Sequence, residues 1–369
     1  VREGDGYGRW IVAKAIGHNA VRTLSKTESD LTKRRLTQQQ TTRIRSQQQA
    51  RATRAGSGTP QERGEDTLGA EQQGLITAHF GRQVEVEALD GERLGSVQRC
   101  HLRANLEVLV TGDRVVWRAS TSAETPGVVV ASLPRRSLLA RPDSHTQLPK
   151  PVAANVDRII IVIAPEPEPF ANLIDRYLVA AEAVSIPPLL LLNKVDLLNA
   201  ASRKTIDALL AEYRAIGYPV LHASSVNEHG LDELKAELRD RVSVFVGQSG
   251  VGKSSLIKTL VPDRDIRIGE LSLIERKGRH TTTTAQLFHM PGGGDLIDSP
   301  GIREFGLEHI SRALIENGFV EFRAWLGHCR FRDCSHDHEP GCALLQALAD
   351  GKISRARMDS FKAIIAQMP

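Results

Sequence analysis

The run Gly247-Gln248-Ser249-Gly250-Val251-Gly252-Lys253-Ser254-Ser255 carries the spacing G-x-x-x-x-G-K-[ST]. An apolar stretch, "VSVFV", leads into it and a helical one, "LIKTL", leads out, the context in which this spacing cradles phosphate. Glycines let backbone N–H groups turn inward around a β-phosphate, and a helix N-terminus adds its dipole. Lys253 is long enough to reach β- and γ-oxygens, and the hydroxyl of Ser254 is a ligand type for Mg²⁺.

A second constellation stands earlier in the chain. "LLLLNKVDLL", residues 189 to 198, ends an apolar strand in Asn193, Lys194, Val195 and Asp196. A carboxylate only accepts hydrogen bonds, so Asp196 suits two adjacent donors. Guanine offers such a pair at N1–H and its 2-amino group; adenine does not. Asn193 can bond the other edge of the ring, and the Lys194 stem can lie over the purine. Ser224 and Ser225 in "HASSVNEHG" stand where a loop supporting the base is expected.

Farther on, "DLIDSPGIREFG" supplies Asp298 and Gly301 in the form D-x-x-G. Asp298 would hold Mg²⁺ through water, and the Gly301 amide would sense a γ-phosphate. "RKGRHTTTTAQ" lies between this motif and the phosphate loop, and one of Thr281 to Thr284 should complete the Mg²⁺ shell. Thr282 is taken as the candidate, the choice among the four being open. Many GTPases place a water-orienting Gln after the D-x-x-G glycine, but here the residue is Ile302. Isoleucine cannot orient water, so unaided hydrolysis should be slow. A partner, or a polar group such as His280, must position the nucleophile. Partner-supplied order and charge can be worth about 10³ to 10⁵ in rate.

By position the parts run base-reading, base support, phosphate loop, threonine segment and magnesium motif. The usual order has been cut after the magnesium motif and rejoined at its far end. A doubly wound sheet tolerates such a cut because its termini lie at the surface. The segment from Asp298 to Gly306 then leads straight into the C-terminal region, so hydrolysis is expected to reorient that region.

The elements that must position these motifs follow from the pattern of apolar residues. Residues 143–308 alternate buried-strand runs such as "RIIIVIA" with helical runs such as "NLIDRYLVAAEAV" and "RKTIDALLAEYRAIG", a doubly wound α/β domain. Residues 71–142 show short period-2 runs split by Asp-Gly and Gly-Asp turns, the mark of a small antiparallel barrel of about five strands. An oligonucleotide-binding (OB) barrel is the leading form, although periodicity alone does not separate it from an SH3-like one. Arg114, Arg118, Arg135, Arg136 and Arg141 would make it basic. Residues 31–70 are polar, with Lys33, Arg34, Arg35, Arg43, Arg45, Arg51 and Arg54 against few acids, and residues 1–70 are taken with them as one piece. They read as a flexible basic extension, either a solvated tail or an arm for a phosphate backbone. Residues 1–30 are expected to lie upstream of the fold.

The last piece, residues 309–369, holds three of the four cysteines. Cys329-x4-Cys334-x-His336-x5-Cys342 offers three thiolates and an imidazole, a set suited to tetrahedral Zn²⁺ with no open position and hence to a structural site. His338 is a rival ligand. Arg330, Arg332, Asp333 and Asp337 make the loop too polar for the cysteines to be simple core residues. Clustered rather than dispersed, they point to metal binding in a reducing cytosol, not a secreted disulfide framework.

Bulk properties bound the rest. In 369 residues, 48 basic and 44 acidic side chains leave a net charge of +4, too mild on average to name a partner. A hydrophobic content of 41% is enough for two or three cores. No stretch approaches the roughly 18 apolar residues that cross a bilayer, and no signal-peptide pattern opens the chain.

From about Leu31 to the C-terminus, "NKVD", "GQSGVGKSS", "GRHTTTT", "DSPG" and "CRFRDCSHDHEPGC" stand in one order. On these motifs the chain resembles the circularly permuted bacterial ribosome small subunit-dependent GTPase A (RsgA) family. The resemblance implies an OB barrel, a permuted P-loop GTPase domain binding GTP or GDP with Mg²⁺, and a mainly α domain with one structural Zn²⁺. It implies zinc ligands at Cys329, Cys334, His336 and Cys342, and a water-placing role for His280. It also implies GTP hydrolysis stimulated by the small (30S) ribosomal subunit during late assembly, contacts to 16S rRNA, a cytoplasmic monomer and no membrane partner. Residues 1–30 have no recognised counterpart there. A rival reading is an RNA-binding scaffold with GTP as a structural ligand. A metabolic kinase is more distant, since it leaves "NKVD" unexplained.

Overall fold

The computed structural model describes residues 68–104, 106–122, 125–142, 149–262, 285–298, 307 and 310–368. The basic extension therefore lies outside the described residues, save where the first strand enters from Leu68.

The barrel is built from β1 (Leu68–Phe80), β2 (Gln83–Ala88), β3 (Val97–Leu102), β4 (Arg114–Ser120) and β5 (Gly127–Ser132). Alternation does the work expected of it: in "QVEVEA", Val84, Val86 and Ala88 are buried and the residues between them are not. Trp117 fills the middle, and its indole N–H donates to the Gln73 carbonyl at 3.2 Å. The strands run in the order β1-β2-β3-β5-β4, and β4 pairs back onto β1 to close the ring. All pairs are antiparallel except β3 with β5, which is parallel. That pair gives the Greek-key closure of an OB barrel, the leading form in the sequence, and so decides what periodicity left open between it and an SH3-like one.

A hairpin of β6 (Leu138–Pro142) and β7 (Pro149–Ala154) leads to the α/β region. There β8 (Arg158–Ile163), α1 (Ala171–Ala183), β9 (Pro188–Leu192), α2 (Ala200–Ala215), β10 (Val220–His222), α3 (Leu231–Leu238), β11 (Val242–Val246), α4 (Lys253–Leu260), β12 (Gln286–His289) and β13 (Asp295–Asp298) follow one another. Sheet order is β10-β9-β8-β11-β13-β12, parallel apart from β12. Continuous apolar runs are explained by burial on both faces. Ile159, Ile161, Leu190 and Leu192 join the core beneath α1, whereas Ile160, Val162, Leu189 and Leu191 join the one beneath α3 and α4. On its outer edge β12 meets β1 at Gln286 and Ala78, so barrel and α/β sheet are hydrogen-bonded together.

The C-terminal residues form α5 (Arg312–Gly318), a 3₁₀ turn at Val320–Phe322, α6 (Ala343–Ala349) and α7 (Arg355–Ile365). They do not form a separate body. Phe319, Phe322 and Phe361 pack ring against ring, with centroids 4.9 to 5.6 Å apart, inside the same core as Ile174 and Leu178 of α1. Arg357 of α7 is buried and donates to Asp175 of α1, which also accepts from the Tyr213 hydroxyl at 2.7 Å. Its Nε donates to Glu321 at 2.6 Å. A swing of this whole unit on hydrolysis would have to open that core, so the reorientation expected from chain order is not favoured by the packing. Among the described residues, no helix is long and apolar enough to cross a membrane.

Candidate functional site

The C-terminal ends of β8, β9, β11 and β13 lie side by side, and the chemistry-bearing loops leave from those ends. The phosphate loop follows β11, and Lys253 is the first residue of α4. Its ammonium is buried and donates to the Gly247 and Gln248 carbonyls, at 2.6 Å each, so the side chain spans the loop. Ser254 and Ser255 are exposed in the first turn of α4, and Val251 is buried.

The base-reading motif touches this loop directly. Asn193, fully buried, donates through Nδ2 to the Val251 carbonyl at 2.9 Å. Gly252 makes the approach possible: its φ is +92°, and a Cβ there would stand 2.4 Å from Asn193 Nδ2. The Asn193 Oδ1 has no protein partner among the described residues, which marks a place for a ligand or water. Lys194 takes a left-handed conformation, φ +59°, that starts the turn carrying Val195 and Asp196. Asp196 is exposed to a ligand but not free to rotate, because Ser224 donates its hydroxyl to Oδ1 at 2.5 Å. Ser224 is buried and accepts in turn from the N–H groups of Val226 and Asn227, at 3.2 and 3.4 Å. Ser224 thus ties Asp196 to the turn at Val226 and Asn227. Asp298 is half-buried at the end of β13, one residue past the Ile297–Val244 pairing with β11. His280, Thr281 to Thr284 with Thr282 among them, Gly301 and Ile302 lie outside the described residues.

One neighbour of these two motifs escaped sequence reasoning. The loop between β8 and α1 presents the Glu166 carbonyl to Lys194 Nζ at 3.1 Å. Its Pro167 Cδ lies 3.6 Å from where a Cβ on Gly250 would be. A backbone carbonyl leaves no residue-type signal, so only the strand order could have pointed here.

A cluster of candidate metal ligands stands in the C-terminal unit. One ligand atom from each of Cys329, Cys334, His336 and Cys342 lies within 4.8 Å of every other. Cys329 and Cys342 sulfurs are 3.9 Å apart, and His336 Nδ1 is 3.5 and 3.4 Å from them. A tetrahedron with Zn–S bonds of about 2.3 Å has edges of about 3.8 Å, so the set fits zinc. Backbone N–H groups of Ala343 and Leu345 point at Cys329 and Cys342 sulfurs, at 3.4 and 3.5 Å, a favourable setting for thiolates. The far nitrogen of His336 faces Glu316 at 3.8 Å, a carboxylate that can orient a ligating imidazole. His338 is outside the cluster, exposed, with Nδ1 on Asp337.

Fold and site together define a P-loop GTPase of permuted order, joined to an OB barrel and a unit with a three-cysteine, one-histidine cluster. A family model described as RsgA GTPase matches residues 132–308. The chain is 61% identical over 342 residues to the small ribosomal subunit biogenesis GTPase RsgA of Azotobacter vinelandii, covering 92% of this chain and 99% of that protein. It is 60% identical over 342 residues to the protein of that name from Pseudomonas aeruginosa, with the same coverage. Among solved structures, YjeQ from Thermotoga maritima superposes with a TM-score of 0.66 at 30% identity, covering 81% of this chain and 98% of that one. YloQ, a circularly permuted GTPase, gives 0.62 at 28% identity, covering 84% and 99%. The chain belongs to the RsgA GTPase family and is a GTP-hydrolysing enzyme.

Proposed function

We propose that this enzyme acts in biogenesis of the small ribosomal subunit, binding the subunit and its 16S rRNA and hydrolysing GTP to GDP and phosphate under the subunit's stimulation. It works as a cytoplasmic monomer and leaves a near-mature subunit on hydrolysis. Its parts are the extension 1–70, the barrel 71–142, the GTPase domain 143–308 and the zinc unit 309–369. The observation that carries the nucleotide reading is the Asn193–Val251 hydrogen bond, which joins base-reading motif and phosphate loop into one pocket. Asp196, held by Ser224, accepts from guanine N1–H and the 2-amino group. Lys194, held by the Glu166 carbonyl, covers the purine.

Phosphates lie on the backbone of 247–255 with Lys253 beside them. Ser254, Asp298 and one of Thr281 to Thr284 hold Mg²⁺, which when bound neutralises charge on the phosphate oxygens. Gly301 senses the γ-phosphate, and His280 helps place water where Ile302 cannot. Zinc on the cysteine–histidine cluster is structural. Membership in a GTPase family, with a pocket built for the base as well as the phosphates, weighs against GTP as a merely structural ligand.

A multiple-turnover phosphate-release assay with and without small subunits tests this reading. The expected result is slow release alone and a rise of about 10³ or more with subunits, within the range that partner-supplied groups reach. Fast release by the protein alone, or no response to subunits, refutes it. In the same assay Asp196→Asn should shift preference from guanosine to xanthosine triphosphate, and unchanged GTP selectivity removes Asp196 from the base site.

A further inference from the structure

Between the first two cysteine ligands the chain projects Arg330, Phe331, Arg332 and Asp333, all four of them exposed. Phe331 keeps 43% of its surface in solvent. A single exposed apolar residue is ordinary, so the argument rests on what surrounds this one. The Arg330 guanidinium carbon lies 5.6 Å from the Phe331 ring centroid, within cation–π range. Arg330 is itself fixed: its N–H donates to the Gly341 carbonyl at 3.0 Å, and its stem lies across Gly341. A Cβ at Gly341, where φ is +76°, would come within 3.0 Å of that stem. Neither Arg330 nor Arg332 has an acidic partner among the described residues, in contrast to Asp337, which holds Lys362 at 2.6 Å. Cys329 and Cys334 bracket the tip, so the metal that gathers them also stiffens it.

From this arrangement we infer that the tip is a stacking platform for one unpaired base of RNA. The base lies on the open face of Phe331, and Arg330 and Arg332 meet the phosphates on either side of it. Unpaired bases are commonly held on aromatic side chains and guanidinium planes, and stacking tolerates any base because each has a π-face. A protein groove would want apolar neighbours round the ring; here one guanidinium lies over it and the next residue in the chain is a second exposed arginine, with Asp333 the one acid among the four residues of the tip. The charge therefore fits a phosphate backbone. Pre-organisation by the metal lowers the entropy lost on binding. The inference rests on the proposed small-subunit partner and names the contact that the zinc unit makes with it.

The test uses the full chain loaded with zinc and a non-hydrolysable GTP analogue, and measures its affinity for purified small subunits. Phe331→Ala should weaken binding roughly 5- to 150-fold, the range for loss of one base–aromatic stack. Phe331→Leu, apolar but without a π-face, should weaken it to a similar degree. Phe331→Trp should bind like the parent and gain a fluorescence signal that is quenched when subunits are added. Zinc content and GTP affinity should stay at parental values in all three. Parental affinity in Phe331→Leu, or an indole signal from Phe331→Trp that stays unquenched on bound subunits, overturns the inference, and the latter assigns the contact to protein. Failure of the parent protein to bind subunits would instead refute the proposed function.

Discussion

The barrel and the zinc unit are attached to the GTPase core in opposite ways. The zinc unit shares the core: Phe319, Phe322 and Phe361 pack with α1, and Arg357 is buried against Asp175 and Glu321. The barrel keeps its own core around Trp117, lends Leu75 of β1 and the partly buried Leu89 to the core of the α/β region, and meets that region along a seam that also carries polar contacts. In that seam Thr111 donates to the Ala285 carbonyl at 2.9 Å, Asn155 Nδ2 to the Gly112 carbonyl at 2.8 Å, and His289 bridges Asp295 and Glu87 at 2.6 Å each. A shared apolar core resists relative motion, because sliding would expose surface worth about 25 cal/mol per Å². A seam of a few hydrogen bonds resists it much less, each being worth about 1 kcal/mol net. The unit that moves when the nucleotide changes should therefore be the barrel. Ala285 directly follows Thr284 in the chain, so the barrel is tied next to the segment proposed to complete the Mg²⁺ shell.

Removing zinc gives the largest effect expected under this contrast. Binding to isolated zinc modules contributes on the order of 10 kcal/mol to their folding. Chelation should abolish the helical signal of α5 to α7 and, through the shared core, lower the main thermal transition as well. A lost C-terminal signal with an unmoved GTPase transition would separate the two cores after all. Next comes Arg357→Met, which strands Asp175 in the interior. Breaking a buried pair by removing one partner costs about 3–5 kcal/mol. Denaturant unfolding should show that loss with zinc content unchanged, and a loss under about 1 kcal/mol would mean the pair is not part of the weld.

On the seam, Thr111→Val is nearly isosteric and leaves the Ala285 carbonyl without its donor. The expected stability loss is about 1–3 kcal/mol. If the seam carries the coupling, subunit-stimulated turnover falls while GTP affinity is kept, and Thr111→Ser restores it.

The smallest effect is one of pH. Hydrogen bonds to Asp295 and Glu87 raise the His289 pKa to about 10 from its ordinary 6.5. Folded protein then keeps a proton that the unfolded chain has lost between those two values. The contribution is complete below pH 6.5 and fades as pH rises through about 10. His289 is partly exposed, so solvent screening makes the effect modest. His289→Gln should flatten that part of the stability–pH profile, and an unchanged slope would dismiss the bridge.

How much of this was legible depended on how local the chemistry is. The phosphate loop, "NKVD" and the cysteine–histidine spacing could be read because neighbouring residues supply most of each function. The closure of the barrel could not, since hydrophobic alternation is the same for parallel and antiparallel partners. Arg357 shows the other limit. In "SRARMDSF" it looks like one more solvated arginine beside Arg355, yet Arg355 is exposed and Arg357 is 1% exposed. Its partner Asp175 lies 182 residues away, and no local pattern announces a pair so distant.

By itself, then, the sequence determined the reaction class, the base to be read, the metal ligand set and the permuted order of motifs, because each is written in side-chain types at short spacing. Only the tertiary structure decided that Asn193 closes on Val251, that the Glu166 carbonyl meets Lys194, and how much of the GTPase core each of the two flanking units shares. Those outcomes depend on backbone groups and on approaches between distant segments, whose energies exist only once the chain has packed.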